Sequence, residues 1–136
     1  MPIPHTAQQF TLTTTDPYWN LAVEDWLFHH CTQLPALILW QNQPCVVIGR
    51  AQNPWRECNL DAMAEANIPL VRRQSGGGTV YHDLDNLNFT IISDMAQFSK
   101  TANLQIIQQA LQTLGVTAHL NARNDLYVLQ IGRAHV

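Results

Sequence analysis

Residues 72–83 read RRQSGGGTVYHD and place two arginines, a serine and three consecutive glycines within seven residues. Glycine lets successive backbone N–H groups converge on one point, and it lets a ligand approach the chain without interference from a Cβ atom. The guanidinium groups of Arg72 and Arg73 add forked donors that suit a carboxylate or a phosphate. A loose solvated turn is the alternative, but this combination favours an anion-binding loop.

The loop does not follow the common nucleotide-binding or nucleophile patterns. No lysine follows the glycines as in GxxxxGK[ST], and GxGxxG does not fit, so neither a Walker loop nor the dinucleotide fingerprint is present. Ser75 lacks the GxSxG context of a serine nucleophile. Any nucleotide therefore binds by another design.

Apolar patterning on both sides of the loop predicts short alternating elements. The polar segment 41–44 is short enough to join an antiparallel hairpin, and 83–86 is read as a further turn. Hairpin-connected strands with interspersed helices are typical of an α+β fold, here a mixed, mostly antiparallel sheet with flanking helices. The predicted helices cover 17–31, 57–66 and 101–114, and the predicted strands cover 36–40, 45–48, 70–72, 79–81, 87–93, 117–120 and 126–131.

Terminal signals support two of these helices. Asp16 followed by Pro17 is an N-cap with proline at the first helical position, and Gly115 suits the end of the last helix. The faces expected to point inward are Trp19, Ala22, Val23, Trp26 and Leu27 in the first helix and Leu104, Ile107, Leu111 and Leu114 in the last. Trp40 is also expected in the core.

Bulk properties bound the class of protein. A chain of 136 residues with 46% hydrophobic and 12% charged residues is expected to form a globular domain. Seven basic and ten acidic residues give a net charge of −3 without a basic run, so nucleic acid is not expected as a partner. No apolar run is long enough for a membrane span. Cys31, Cys45 and Cys58 show no metal-site spacing and no signal peptide precedes them, which predicts a cytoplasmic protein with reduced thiols.

Other residues with possible chemistry have simpler explanations. His82, Asp83 and Asp85 fall within one tight turn, which rarely lets three ligands converge, so no protein-built metal site is assigned. Cys58 has no histidine near it in sequence and is read as structural rather than nucleophilic. Turn chemistry explains most of segment 121–125, although Asp125 is placed to face a ligand or a nucleotide-bound Mg²⁺.

Four segments together closely resemble the N-terminal part of the lipoate-protein ligase A family. They occur in the order found in that family and cover nearly all of the chain. The segments are DPYWNLAVEDWLF (16–28), VVIGRAQNPWRECN (46–59), RRQSGGGTVYHDLDNLNFT (72–90) and ARNDLYV (122–128).

The resemblance implies both a fold and an activity. The fold is the catalytic domain of biotin and lipoate ligases, which is related to class II aminoacyl-tRNA synthetases. The activity is the use of ATP to convert lipoate to lipoyl-AMP, followed by transfer to a lysine of an acceptor domain. The implied acceptors belong to 2-oxoacid dehydrogenases and the glycine cleavage H protein, and Mg²⁺ is expected with the nucleotide.

The resemblance also assigns roles to residues that match the motifs. The residues implied in ATP and lipoyl-AMP binding are Arg73, Ser75, Gly76, Gly77, Gly78, Thr79, Val80, Tyr81, Asn124 and Asp125. Trp40 and His82 match positions beside the lipoyl pocket. Asp85 stands where the family usually has glycine, a site where positive φ would disfavour aspartate.

One expected residue has no match. The family carries a lysine in a KxSGxA segment shortly after the RND motif, whereas Lys100, the single lysine here, lies before that motif. No catalytic residue is therefore assigned, and this chain is expected to be an inactive N-terminal part of the catalytic domain, covering 1–130. Residues 131–136, IGRAHV, match the translation of a sequencing-adapter end, ATCGGAAGAGCACACGTC, and are expected to be foreign.

Two other functions stay open. An octanoyltransferase would share the fold, but the cysteine and lysine it uses are not found here, and the intact RRxSGGGxVxHD pattern favours the ligase. The chain could also be a non-catalytic fragment that binds adenylate weakly.

Overall fold

The computed structural model describes residues 7–128, which form two compact units. The first unit is Gln8–Ile92, and the second contains the chain from Ser93 onward together with Ala7. The proposed foreign tail, 131–136, lies outside the described residues, as does the end of the strand predicted over 126–131.

The first unit contains six strands and three helices. In chain order they are β1 (Gln8–Thr11), α1 (Pro17–His30), β2 (Ala36–Gln41), β3 (Cys45–Ile48), α2 (Pro54–Glu57), α3 (Leu60–Glu65), β4 (Leu70–Arg72), β5 (Thr79–His82) and β6 (Leu87–Ile92). Strand β1 has no counterpart among the predicted elements.

The strands of this unit form two three-stranded sheets. One has the order β1-β2-β6 and the other β4-β3-β5. Each sheet is mixed, because β2 pairs parallel with β1 and antiparallel with β6, while β3 pairs parallel with β4 and antiparallel with β5. The predicted α+β class is confirmed.

The predicted hairpin between β2 and β3 is wrong. Each of these strands is the centre of its own sheet, so neither has a free edge for the other. Segments 41–44 and 83–86 instead carry the chain from one sheet to the other. Local turn chemistry is the same for a hairpin and for a change of sheet, which is why the sequence pattern did not separate them.

The core of the first unit explains which predicted inward positions fail. Leu27, Ala36, Ile38, Trp40 and Ile92 form one buried cluster, which confirms Trp40 as a core residue. Trp19 and Trp26, however, are 58% and 59% exposed. Helix α1 buries Pro17, Asn20 and Leu27, so the inward position predicted for Leu27 is confirmed and those predicted for the two tryptophans are wrong.

The predicted helix over 57–66 is shorter in the structure: it corresponds to α3, and a separate helix, α2, precedes it. The Asn53 side chain accepts from the Trp55 N–H at 3.0 Å and Pro54 opens α2, whereas the Asn59 side chain accepts from the Ala62 N–H at 3.1 Å and starts α3. Two asparagine caps six residues apart therefore divide the segment.

The second unit contains a short 3₁₀ helix (Met95–Gln97), α4 (Lys100–Thr113), and the antiparallel strands β7 (His119–Leu120) and β8 (Leu126–Tyr127). The Ser99 hydroxyl caps α4, and Gly115 follows it with φ +80°. Leu114 is 78% exposed, so its predicted inward position is wrong: it is the C-cap residue, beyond the last helical turn. Over residues 7–128 the longest helices, α1 and α4, have 14 residues each, too short to cross a membrane.

The cap of α1 gives a stability prediction. The Asp16 carboxylate accepts from the N–H groups of Tyr18 and Trp19, at 2.9 and 3.4 Å. Asp16→Ala is expected to lower the free energy of unfolding by about 1 kcal/mol in urea denaturation. Asp94→Ala is the matched control, because Asp94 also precedes a helix but makes no capping bond. Equal losses in the two variants would contradict the assigned cap.

Candidate functional site

The glycine cradle, residues 75–78, joins β4 to β5. Among the described residues, no group accepts a hydrogen bond from the four backbone N–H groups of Ser75, Gly76, Gly77 and Gly78. Their carbonyls behave differently, since those of Ser75, Gly76 and Gly78 all accept bonds from neighbouring groups. The segment is therefore anchored through its acceptors and keeps its donors free.

Arg73 supplies most of this anchoring. Its Nη2 donates to the carbonyls of Gly76 and Gly78, both at 2.8 Å, and its Nε donates to Gly76 at 3.2 Å. The Arg50 N–H holds the Ser75 carbonyl at 3.0 Å. Hydrogen bonds from a charged donor contribute about 1.5–3 kcal/mol each, so the guanidinium is well able to fix a chain of glycines.

The direction of the free N–H groups follows from the planar trans peptide, in which the carbonyl oxygen and the next N–H point to opposite sides. The Ser75 and Gly76 carbonyls face Arg50 and Arg73, so the N–H groups of Gly76 and Gly77 face away from them. Adjacent N–H groups held this way form an anion-binding concavity.

Two glycines are required by close approach. A Cβ atom at Gly49 would overlap the Gly77 carbonyl oxygen, and one at Gly77 would lie 2.8 Å from Arg73 Nη2. Gly77 also has φ +99°, a conformation that side chains disfavour. Gly76 and Gly78 are different, because a Cβ atom there would meet nothing within 4 Å. The space beside those two residues is open to a ligand.

Arg72 braces the neighbouring loop in the same manner. Its Nη1 donates to the carbonyls of Gly49, Arg50 and Gln52 at 2.9–3.1 Å. The expectation that Arg72 and Arg73 offer their guanidinium N–H groups to an anion is therefore wrong for most of those groups. They act on an anion mainly through their charge and by shaping the backbone around it.

Trp40 of β2 and His82 of β5 lie close together in the first unit. Trp40 is buried, and its ring meets that of His82 at 6.1 Å in an edge-to-face arrangement. Burial lowers the pKa of His82, the charge of Arg73 lowers it further, and Asp83 opposes both effects. The ring is therefore neutral near physiological pH.

A partly buried carboxyl group, that of Glu24, completes this side of the site. The Trp40 indole N–H donates to the Thr90 hydroxyl at 3.2 Å, and that hydroxyl donates to Glu24. Burial raises the pKa of Glu24; the Thr90 bond lowers it, Asp25 raises it and Arg73 lowers it. The Arg73 charge thus acts on both Glu24 and His82, which links the cradle to the aromatic pair.

Sequence reasoning missed two residues here, Asn20 and Asn42, which are fully buried. Asn20 Nδ2 donates to Asn42 Oδ1 at 3.0 Å, and Asn42 Nδ2 lies 3.1 Å from His82 Nδ1. Asn42 sits in the polar segment 41–44, whose composition indicates an exposed turn, so no signal in the sequence distinguished it. Asn20 is adjacent to the expected inward positions of α1 but is polar.

Asn124 and Asp125 belong to the second unit, in the turn between β7 and β8. Asn124 has φ +62°, and the Asn121 side chain accepts from the N–H groups of Arg123 and Asp125 at 2.8 and 3.0 Å. One Asp125 carboxylate oxygen accepts from Asn121 Nδ2 at 3.2 Å, while the residue remains exposed. Turn chemistry accounts for this conformation.

Residues 79–81 of β5 line an open groove of about 390 Å³, together with Val46 of β3 and residues between α2 and Ile68. Cys58 also lines it. Within residues 7–128 no three His, Cys, Asp or Glu side chains cluster as metal ligands would. Burial raises the pKa of the Cys45 thiol to about 11, which makes it a poor nucleophile.

Sequence comparison agrees with this geometry. Residues 16–131 match the profile of the family described as Lipoyl protein ligase A/B catalytic domain. The chain belongs to this family. It is 50% identical over 115 residues to a lipoate-protein ligase A from Psychrobacter cryohalolentis and 45% identical over 120 residues to one from Bdellovibrio bacteriovorus. These alignments cover 84% and 88% of the chain.

Solved structures show the same likeness. P. falciparum LipL1 in complex with lipoate superposes with a TM-score of 0.84 at 30% identity, covering 91% of this chain and 41% of that one. A bipartite lipoate protein ligase with its E2 lipoyl domain, from Thermoplasma acidophilum, gives 0.79 at 29%, covering 90% and 51%. A lipoate-protein ligase A bound with ATP gives 0.75 at 28%, covering 91% and 53%.

The chain spans about a third of the length of the two curated relatives, 34% and 35%. The family match over residues 16–131 includes the glycine cradle, the arginine pair and the Trp40–His82 pair. It also includes every strand of the first unit except β1.

The two kinds of glycine in the cradle predict different stabilities. Gly77→Ala is expected to lower the free energy of unfolding by about 1–3 kcal/mol, because it combines positive φ with a contact on Arg73. Gly76→Ala, the matched control, is expected to change it by less than about 0.5 kcal/mol. Urea denaturation of both variants measures the difference, and a larger loss at Gly76 would refute the described conformation.

The raised pKa of Glu24 predicts a pH effect on stability. The unfolded chain releases this proton near the ordinary pKa of 4.5, whereas the folded protein holds it to higher pH. The contribution of Glu24 to stability is therefore fully present below pH 4.5 and declines as the pH rises through the folded-state pKa. Glu24→Gln has no titratable carboxyl group at this position. Its free energy of unfolding, relative to that of wild type, should therefore rise between mildly acidic and neutral pH. A difference independent of pH in denaturation curves would contradict the assignment.

Proposed function

We propose that this chain carries the adenylate-binding part of an ATP-dependent lipoate-protein ligase. The single observation that carries the proposal is the glycine cradle: no described residue accepts from its four N–H groups, Arg73 fixes the Gly76 and Gly78 carbonyls, and the space beside Gly76 and Gly78 is open. Membership in the lipoyl ligase family supports the choice of lipoate and ATP as substrates. Relatives bound to lipoate and to ATP support it further.

The proposed reaction has two steps. A lipoate carboxylate oxygen attacks the α-phosphorus of ATP, forming a new P–O bond while the bond to pyrophosphate breaks and pyrophosphate leaves. A neutral lysine amine of the acceptor domain then attacks the acyl carbon, AMP leaves with the C–O electron pair, and the nitrogen loses a proton. Both steps build negative charge on oxygens, which fixed N–H donors stabilise.

In this proposal the nucleotide side comprises Arg73, Ser75, the three cradle glycines and β5 residues Thr79, Val80 and Tyr81. The Gly76 and Gly77 N–H groups face a phosphate oxygen, and the Arg73 charge neutralises it. Asn124 and Asp125, in the second unit, are also proposed as nucleotide-binding residues. The groove beside β5 offers room for part of it. Trp40 and His82 are proposed to bound the lipoyl pocket.

Mg²⁺ is proposed to enter with the nucleotide. Residues 7–128 offer no cluster of carboxylates for it, so phosphate oxygens and water would hold most of its coordination sphere. Asp125, which is exposed and has one oxygen bonded to Asn121, is the proposed protein ligand. The ion would supply charge neutralisation at the transferring phosphate.

The proposed acceptors are lipoyl domains of 2-oxoacid dehydrogenases and the glycine cleavage H protein. The E2 lipoyl domain present with the archaeal ligase supports the first class. A cytoplasmic location is also proposed, in keeping with the free thiols of Cys31, Cys45 and Cys58.

We further propose that this chain binds the adenylate without efficient turnover. Lys100 is its one lysine; it opens α4 and precedes the RND motif in the sequence, whereas the family's lysine follows that motif. Residues 131–136 are proposed to derive from adapter sequence. Resequencing the locus tests this origin: native coding sequence is expected after residue 130, and a genomic stop directly after Val136 would contradict it.

Binding of a non-hydrolysable lipoyl-sulfamoyl adenosine tests the proposed function. The 136-residue chain is expected to bind it, measured by calorimetry, and Gly76→Ala should weaken binding roughly tenfold or more by filling the space used by the phosphate. The same variant is expected to fold normally, so the loss would not reflect stability.

Gln74→Ala is the control, since it changes an exposed side chain beside the cradle and leaves the donors in place. Its affinity should stay within about twofold of wild type, well below the 1.4 kcal/mol of a tenfold change. An analogue that binds Gly76→Ala as tightly as wild type would overturn the proposal. Octanoyl transfer from an acyl carrier protein, with no binding of the adenylate analogue, would favour the octanoyltransferase instead.

A further inference from the structure

Two buried amides connect the backbone of the first unit to the ring of His82. Asn20 Nδ2 donates to the backbone carbonyls of Thr14 and Gln41, at 3.0 and 2.9 Å. Carbonyl oxygens can only accept, so the orientation of the Asn20 amide is fixed: reversing it would place its oxygen against two other oxygens. Asn20 Oδ1 has no partner in the described structure, a cost that the reversed orientation would exceed.

The orientation of Asn20 determines that of Asn42. Asn20 Nδ2 shares its two hydrogens among the oxygens of Thr14, Gln41 and Asn42, and it cannot accept, so Asn42 must present Oδ1 to it, at 3.0 Å. The other end of the Asn42 amide is then Nδ2, a donor with no acceptor capacity, and it faces His82 Nδ1 at 3.1 Å. Nδ1 must therefore accept, which leaves the ring proton on Nε2.

We propose that Asn42 is a positioning residue that holds His82 as the neutral Nε2–H tautomer, so that the site presents an uncharged N–H donor to the bound acyl group. The choice of acyl group rests on the proposed function, whereas the tautomer does not. In the described structure nothing accepts from Nε2, so that donor is available to a ligand.

The groups around His82 favour the same state. Arg73 disfavours a second positive charge there, while Asp83, the next residue, favours it. The Trp40 ring meets the His82 ring edge-to-face. Cys45 of β3 lies opposite His82 of β5 in the strand register. The thiol of Cys45 stays neutral because burial raises its pKa to about 11. Among these neighbours only Asp83 opposes the neutral ring.

A neutral donor suits both stages of the proposed reaction. It can bond a carboxylate oxygen before adenylation and a carbonyl oxygen after it, without forming an ion pair that the second stage must break. An imidazolium beside Arg73 would instead hold free lipoate too firmly relative to the adenylate. We therefore expect the tautomer to affect binding of the adenylate more than folding.

Long-range ¹H–¹⁵N NMR on the wild-type chain tests the tautomer directly. The expected spectrum at neutral pH shows His82 protonated at Nε2 alone, with a scalar coupling across the bond from Asn42 Nδ2 to His82 Nδ1. Protonation at Nδ1, or at both nitrogens, would overturn the proposal. This result does not depend on any ligand.

The near-isosteric Asn42→Asp change tests the cause. The carboxylate still accepts from Asn20 but can no longer donate to His82, so the ring proton is expected to move to Nδ1 and the pKa of His82 to rise. An unchanged tautomer in the folded variant would refute the role of Asn42. If the variant does not fold, the coupling in the wild-type chain decides the question alone.

Two substitutions of His82 separate the nitrogens. His82→Gln places an amide N–H near the position of Nε2 and should keep affinity for the lipoyl-adenylate analogue within about threefold, whereas His82→Asn matches only Nδ1 and should lose roughly tenfold. Equal affinities would contradict a donor at Nε2. A confirmed tautomer with no binding by the wild-type chain would leave Asn42's effect on the ring intact and would overturn the proposed function instead.

Discussion

The bond between the Arg73 guanidinium and the carbonyls of the glycine cradle is the interaction on which the site depends. Three glycines in a row have the largest conformational entropy of any short segment, and alone they would not keep four donors aligned. Arg73 turns the Gly76 and Gly78 carbonyls toward itself and thereby turns the intervening donors outward. The same charge adds to the effect of burial in lowering the pKa of His82, and it partly offsets the rise that burial causes in the pKa of Glu24.

The fold of the first unit positions the residues that make this interaction. Strand β3 is central in its sheet, with β4 and β5 on either side, so the chain must leave β4 and return to β5 over the end of β3. Gly49 at that end lets the loop approach closely, and Arg72 fixes the strand's continuation. The cradle therefore joins β4 to β5 across the end of β3, and contacts from all three strands or their ends fix its position.

Much of the local structure could be predicted from the sequence, because it depends on neighbouring residues. The cap at Asp16, the glycine after α4 and the strands beside the cradle all follow from short patterns, and they were confirmed. The pairing of strands could not be predicted. Whether segment 41–44 turns back or crosses to another sheet depends on distant partners of β2 and β3, and this choice also buries Asn42.

The candidate site likewise has a part that could be predicted from local sequence and a part that depends on distant residues. Its cradle and aromatic residues were identified from motifs, and their proposed roles in binding remain predictions. The hydrogen bonds that set their chemical state come from residues far apart in sequence, such as Glu24 with Thr90 and Asn20 with Asn42. No periodicity or spacing reports such contacts. Arg72 and Arg73 were predicted to donate to a ligand, but they donate to backbone carbonyls instead. Only the folded geometry shows these bonds.

The central claim is that the free N–H groups of the cradle bind the phosphate of an acyl-adenylate. Backbone amide chemical shifts of the ¹⁵N-labelled chain, recorded while the lipoyl-adenylate analogue is added, test it most directly. The account predicts that the amide protons of Gly76 and Gly77 move downfield together, as N–H groups do when they bond an anion. Saturable binding that leaves both amide signals unmoved would contradict it.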